Sequence, residues 1–124
     1  MDDKSQRVIV IGASAKPERY SNRAVRLLLE HGHEVMPVNP GISSIEDIPV
    51  ISKLEDLSGH VDTVTLYVSA EKSSALKDVL IHLHPDRVIF NPGAENPALM
   101  AALEANGIRT EEACTLVLLN TGQF

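Results

Sequence analysis

Apolar residues along this chain fall into short solid runs separated by longer amphipathic stretches, a pattern that predicts strands and helices in alternation. Val8, Ile9, Val10 and Ile11 are four consecutive β-branched residues, and a run without apolar–polar alternation has both faces covered. It predicts a central parallel strand. Gly12 ends the run, a polar loop follows, and Ala24, Val25, Leu27, Leu28 and Leu29 make an apolar stripe broken by Arg23, Arg26 and Glu30. That is the pattern of an amphipathic helix, with Ser21 its expected N-cap and Gly32 its stop. Residues 34–38 predict a second strand, closed by the turn-forming Asn39-Pro40-Gly41.

Farther along, residues 48–51 contain Pro49, which suits an edge strand or an extended connection, and a one-turn helix is expected near 54–57. Residues 61–68 form a stronger strand, alternating at first and then continuously apolar. It ends at Ser69-Ala70, and 71–84 reads as a helix. Residues 87–90 predict another buried strand. An Ala- and Leu-rich helix over 97–105 follows, with Asn96 as N-cap and Pro97 in its first turn. Gly107 ends it, Ile108 and Arg109 begin a last short strand, and 114–124 is expected to form a helix packed on the sheet. No repeat or linker interrupts the alternation, so residues 1–124 are expected to form one α/β domain. In a doubly wound order the strand over 61–68 lies across the switch point from the first, making Val68, Ser69 and Ala70 the far wall of a crevice.

Composition narrows the function. The chain has 124 residues, 44% hydrophobic and 23% charged, with one cysteine, Cys114. No apolar run approaches the ~18 residues that span a bilayer, and the first seven residues carry no signal region. A cytoplasmic location and a buried thiol are expected. The net charge of −6 repels nucleic acid and anionic membrane surfaces, yet a small anion can bind locally. Lys16, Arg19, Arg23 and Arg26 crowd just after Gly12. Gly12 permits a sharp turn and a close approach, Ser14 adds a hydroxyl, and the free N–H groups of the following helix favour an anion. The loop is therefore expected to hold phosphate.

Two features depart from the nicotinamide-dinucleotide pattern. G-x-G-x-x-G would need glycine at 14 and 17, where the chain has Ser14 and Pro17, and Asn39 stands where an acidic residue would hold the ribose. An NAD(P)-dependent enzyme or dinucleotide-sensing module is the alternative reading. His31 and His33 lack neighbouring ligands for a metal, adjacent Glu111 and Glu112 point apart, and His82 and His84 stand near a helix end, so no catalytic or metal-binding residue is nominated. Asn91 and Asn96 suit turn and capping duty as well as ligand contact, and Gly93 suits either.

Gly12-Ala13-Ser14, Tyr20-Ser21, Pro37-Val38-Asn39-Pro40 and Asn91-Pro92-Gly93-Ala94-Glu95-Asn96 occur in an order and spacing that resemble the small stand-alone CoA-binding domain proteins. These are similar in turn to the CoA-binding domain of the succinyl-CoA synthetase alpha subunit. The resemblance covers nearly the whole chain. It implies a three-layer Rossmann-like, doubly wound, mostly parallel sheet of strand order 3-2-1-4-5-6, with CoA or an acyl-CoA bound without catalysis at the strand carboxyl ends. It implies that Gly12, Ala13 and Ser14 meet the pyrophosphate, that Arg19, Tyr20 and Ser21 serve the phosphate region, and that Asn39 and Pro40 meet the adenosine end. Val68 and Ser69 line the crevice in this scheme, with Asn91 and Gly93 completing the site. The chain departs from many members at Asn91, where they carry glutamine, and at Gly41, where they carry a basic residue. The partner expected is a small nucleotide ligand, with no nucleic acid and no membrane, and an apolar helix face would permit a homodimer.

Overall fold

The computed structural model describes residues 5–124, so part of the amino-terminal stretch expected to carry no signal region lies outside the described residues. The chain runs β1 (Arg7–Ile11), α1 (Tyr20–Glu30), β2 (Glu34–Val38), β3 (Ser44–Ile45), β4 (Ile48–Pro49), β5 (Thr63–Leu66), α2 (Ala70–Ser74), α3 (Lys77–Leu83), β6 (Arg87–Phe90), α4 (Pro97–Ala105), β7 (Arg109–Glu112) and α5 (Thr115–Asn120). Among the described residues one sheet has five strands in the order β2-β1-β5-β6-β7, every pairing parallel. Parallel neighbours require crossovers, and helices supply them. The fold is Rossmann-like.

Residues 48–51 do not form one strand. Ser44–Ile45 and Ile48–Pro49 pair as a small antiparallel hairpin, turned by Glu46 and Asp47 at φ 51° and 64°, and Ile51 alone makes a parallel bridge to Val38. The third strand of the expected six-strand order is thus reduced to one residue beyond β2. Pro49 cannot donate to a ladder, which keeps this segment at the sheet's margin.

Two apolar clusters cover the two faces of the sheet, and β1 feeds both because successive strand residues point to opposite sides. Ile9 and Ile11 join Leu66, Phe90, Leu80 and Leu103 in one cluster. Val8 and Val10 join Val25 and Leu28 of α1 and Leu119 of α5 in the other. Val8, Ile9 and Val10 are wholly buried, each side chain contributing about 1.5–3 kcal/mol by leaving water. This explains four β-branched residues in a row.

Three other expectations change. Regular pairing of the strand over 61–68 covers only Thr63–Leu66, although Tyr67 N–H still donates to the Ile11 carbonyl of β1 at 2.9 Å. The helix over 71–84 is two helices, broken after Ser74. Asn96 caps α4 with Oδ1, which accepts from Leu99 N–H, while its Nδ2 donates to the Ala70 carbonyl and to the Ser73 and Ser74 hydroxyls at 2.9–3.1 Å. A buried tertiary contact thereby outweighs helix propensity. Cys114, expected to be buried, is half-buried. At the amino-terminal edge of the sheet Arg87 is 5% exposed. It pairs with Glu111 at 3.2 Å, donates to Thr63 Oγ1 and stacks over the Phe124 ring at 4.6 Å. Burial lowers its pKa while Glu111 opposes the shift. The pair accounts for Glu111 structurally.

Candidate functional site

The strand order reverses between β1 and β5, and there the carboxyl ends of β1, β2 and β5 open into a cleft with two joined lobes. The first, about 600 Å³, lies between the loop after β1 and the start of α1, and includes Ser14, Lys16, Arg19, Tyr20 and Ser21. The second, about 620 Å³, lies between the turn after β2 and the start of α2, with Pro40, Lys53, Val68, Ser69 and Lys72. Gly12, Asn39 and Tyr67 line both lobes. Gly12 has φ +84°, and a Cβ there would stand 2.8 Å from Val68 Cγ1 and 3.1 Å from the Tyr67 carbonyl. Only glycine lets the loop cross so close to β5.

Two asparagines set the loop. Gly12 and Ala13 N–H both turn back to the Val38 carbonyl, at 3.1 and 3.4 Å, so they extend the β1–β2 pairing. Asn39 Nδ2 donates to the Ala13 carbonyl at 2.8 Å while its Oδ1 accepts from Gly41 N–H at 2.8 Å. Asn22, 1% exposed, donates from Nδ2 to the Ser14 carbonyl at 2.8 Å and accepts from Arg26 Nε at 2.8 Å. In a trans peptide the N–H points opposite to the C=O. Holding back the Ala13 and Ser14 carbonyls therefore turns the N–H groups of Ser14 and Ala15 the other way, and neither has a protein partner among the described residues.

Tyr20, Ser21 and Asn22 add the unpaired first-turn N–H groups of α1. Ser21 was expected to cap this helix, but Arg19 holds the N-cap position with extended backbone and Ser21 lies buried within the first turn. The basic cluster divides. Lys16 and Arg19 border the first lobe without an ionic partner among the described residues. Arg26 instead reaches the Pro17 carbonyl at 2.8 Å and braces the loop, and Arg23 lies over the Tyr20 ring at 5.7 Å.

Ten of the twelve residues expected to form the site therefore line the cleft: Gly12, Ala13, Ser14, Arg19, Tyr20, Ser21, Asn39, Pro40, Val68 and Ser69. Asn91 and Gly93 do not. Asn91 is 1% exposed, with Nδ2 donating to Thr65 Oγ1 and the Leu66 carbonyl and Oδ1 accepting from Thr115 N–H, so it ties β5, β6 and α5 together. Gly93 takes φ +91° in an exposed turn, its N–H donating to Glu95 Oε1 at 3.0 Å. Asn22 and Tyr67 had gone unnoticed in the sequence. Asn22 left one signal, a poor helix former on the inner face of a helix.

Tyr67 divides the lobes. Its hydroxyl is buried beside Thr65 and Thr115, which bond to each other at 2.8 Å and leave it unpaired. Burial pushes the phenol up to about 12. A raised folded pKa means the stabilising contribution is present below the unfolded value near 10 and is lost as pH rises from 10 through 12, about 3 kcal/mol in all. Tyr67→Phe is expected to gain about 1 kcal/mol at pH 7 by removing an unpaired buried hydroxyl, and to unfold with a shallower alkaline decline than the wild type. Denaturant titrations at pH 7, 9 and 11 check this; parallel declines in the two proteins would contradict it.

At the opposite edge of the sheet, His60 lies 3.3 Å from Asp62 and 3.1 Å from Asp86, and Asp62 Oδ2 accepts from Arg7 N–H at 2.7 Å. This group links the connections that enter β5 and β6 to the first residue of β1.

A parallel sheet that opens into a cleft at its switch point defines a Rossmann-like α/β domain. The chain belongs to the CoA binding domain family, whose model matches residues 6–120. A crystal structure of an uncharacterized protein is 36% identical with a TM-score of 0.93, over 98% of this chain and 100% of that one. The dinucleotide forming acetyl-coenzyme A synthetase 1 of Ca. Korarchaeum cryptofilum, solved with phosphate and ADP, is 21% identical with a TM-score of 0.73. The match covers 88% of this chain and 26% of that one, and shows a shared fold. The uncharacterized protein YneT of Bacillus subtilis (strain 168) is 30% identical over 69 residues, 56% of this chain. The match spans 51%, about half, of that relative's length.

Proposed function

We propose that this domain binds CoA or an acyl-CoA without catalysing a reaction on it, holding the diphosphate in the first lobe and the adenosine in the second. The observation that carries this reading is the pair of loop carbonyls held back by Asn39 and Asn22. It leaves the Ser14 and Ala15 N–H groups, the first turn of α1 and the Lys16 and Arg19 cations available to one anion. The second lobe offers Ile11, Val38, Leu54 and Leu76, apolar surface suited to a purine ring. The pantetheine arm and its thiol then extend toward solvent or a partner.

Asn39 supports CoA over a nicotinamide dinucleotide, because its side chain is engaged with Ala13 and Gly41 and carries no carboxylate for a ribose diol. Isothermal titration with CoA tests the proposal, and CoA at a hundred times its Kd is expected to add about 2.7 kcal/mol of stability. Arg19→Ala is expected to weaken CoA roughly tenfold or more, since a hydrogen bond to a charged group contributes about 1.5–3 kcal/mol. No heat and no stabilisation with millimolar CoA, alongside saturation by NAD(H) or NADP(H), would reverse the assignment. Unchanged affinity in the variant would remove Arg19 from the site.

A further inference from the structure

We propose that the second lobe also binds a phosphate monoester, and that Lys53 and Lys72 are the residues by which the cleft distinguishes CoA from its 3′-dephosphorylated form. The inference rests on the CoA reading above and specifies it, because a diphosphate on the loop after β1 accounts for the first lobe alone. The second lobe has cations of its own. Lys53 comes from the connection after Ile51 and Lys72 from α2, so they approach the same lobe from different walls. Both are exposed, and neither side chain has an ionic or hydrogen-bonding partner among the described residues.

Charge balance gives the pair its meaning. Acidic residues outnumber basic ones 17 to 11 in this chain, yet this lobe sets two unpaired lysines against one carboxylate, Glu55. Beneath them the walls are apolar, with Leu54 3% exposed. An adenine and ribose alone are neutral, and burying them asks for no cation. A ribose 3′-phosphate does, since it carries close to two negative charges in neutral solution. Gly41, next to the Asn39-Pro40 turn, supplies no charge, so the cationic character at this end of the cleft falls to Lys53 and Lys72. Lysine suits the task as a mobile point charge with three donors.

Calorimetric titration of the whole chain with CoA and with 3′-dephospho-CoA tests the assignment in the wild type and in a Lys53→Gln, Lys72→Gln double variant. The wild type is expected to prefer CoA by about tenfold, the effect of one charge-assisted hydrogen bond, and the preference should shrink as salt is raised. In the double variant the two ligands should bind alike, with dephospho-CoA no weaker than before. Equal binding of the two ligands by the wild type would overturn the inference while leaving the diphosphate reading intact. So would a double variant that weakens both ligands by the same factor. Absence of binding by both ligands would instead end the CoA reading, and this one with it. Thermal melts of the variant, altered only at exposed side chains, check that the fold is retained.

Discussion

Asn91→Ala is expected to lower the free energy of unfolding by about 3 kcal/mol or more, a large fraction of the 5–15 kcal/mol typical of a domain. Three buried hydrogen bonds converge on this side chain, at 2.6, 2.8 and 2.9 Å. Truncation leaves the Thr115 N–H without its acceptor and takes a donor from the Leu66 carbonyl and from Thr65. Each buried group left unpaired costs about 1–3 kcal/mol. Thr65 would keep its bond to Thr115, which limits the loss there. The effect is structural because Asn91 joins the ends of β5 and β6 to the amino terminus of α5 beneath the cleft floor. Urea unfolding gives the stability, and calorimetry on the folded variant is expected to give the wild-type CoA affinity. A variant of wild-type stability that binds CoA poorly would return Asn91 to the ligand.

Asn22→Ala is expected to cost about 1–2 kcal/mol of stability and to weaken CoA more than tenfold. The stability term comes from the Ser14 carbonyl and Arg26 Nε, which lose their partner together. The binding term is larger because the peptide joining Ser14 and Ala15 is no longer held in one orientation, and an anion site that must order itself on binding spends part of its affinity doing so. Arg26→Ala separates the two roles. It removes the brace on Pro17 but leaves Asn22 on Ser14, so it should destabilise with a smaller change in affinity. If Asn22→Ala unfolds early yet binds CoA as tightly as the wild type, the loop is held by something other than this asparagine.

The alternation of elements was legible because each signal is local. Val8–Ile11 read as a strand covered on both faces, and the two clusters fed by its odd and even residues explain why. Pro97 with Asn96 marked the start of α4, and the structure begins the helix at that residue. Signals that depend on a distant partner were harder to see. Nothing between residues 71 and 84 announces the break after Ser74, which Asn96 helps to hold from more than twenty residues away. Ser21 had the chemistry of a cap but sits two positions past the N-cap, Arg19, because the helix begins at Tyr20.

Local residue patterns thus determined the βα alternation, the glycine-bearing loop after β1 and the placing of a cleft at the strand carboxyl ends, since backbone propensity and hydrophobic period act over a few residues. Tertiary structure alone decided which stretch of backbone each asparagine holds, because Asn22, Asn39 and Asn91 carry the same amide and differ only in the groups that folding brings within 3 Å of it.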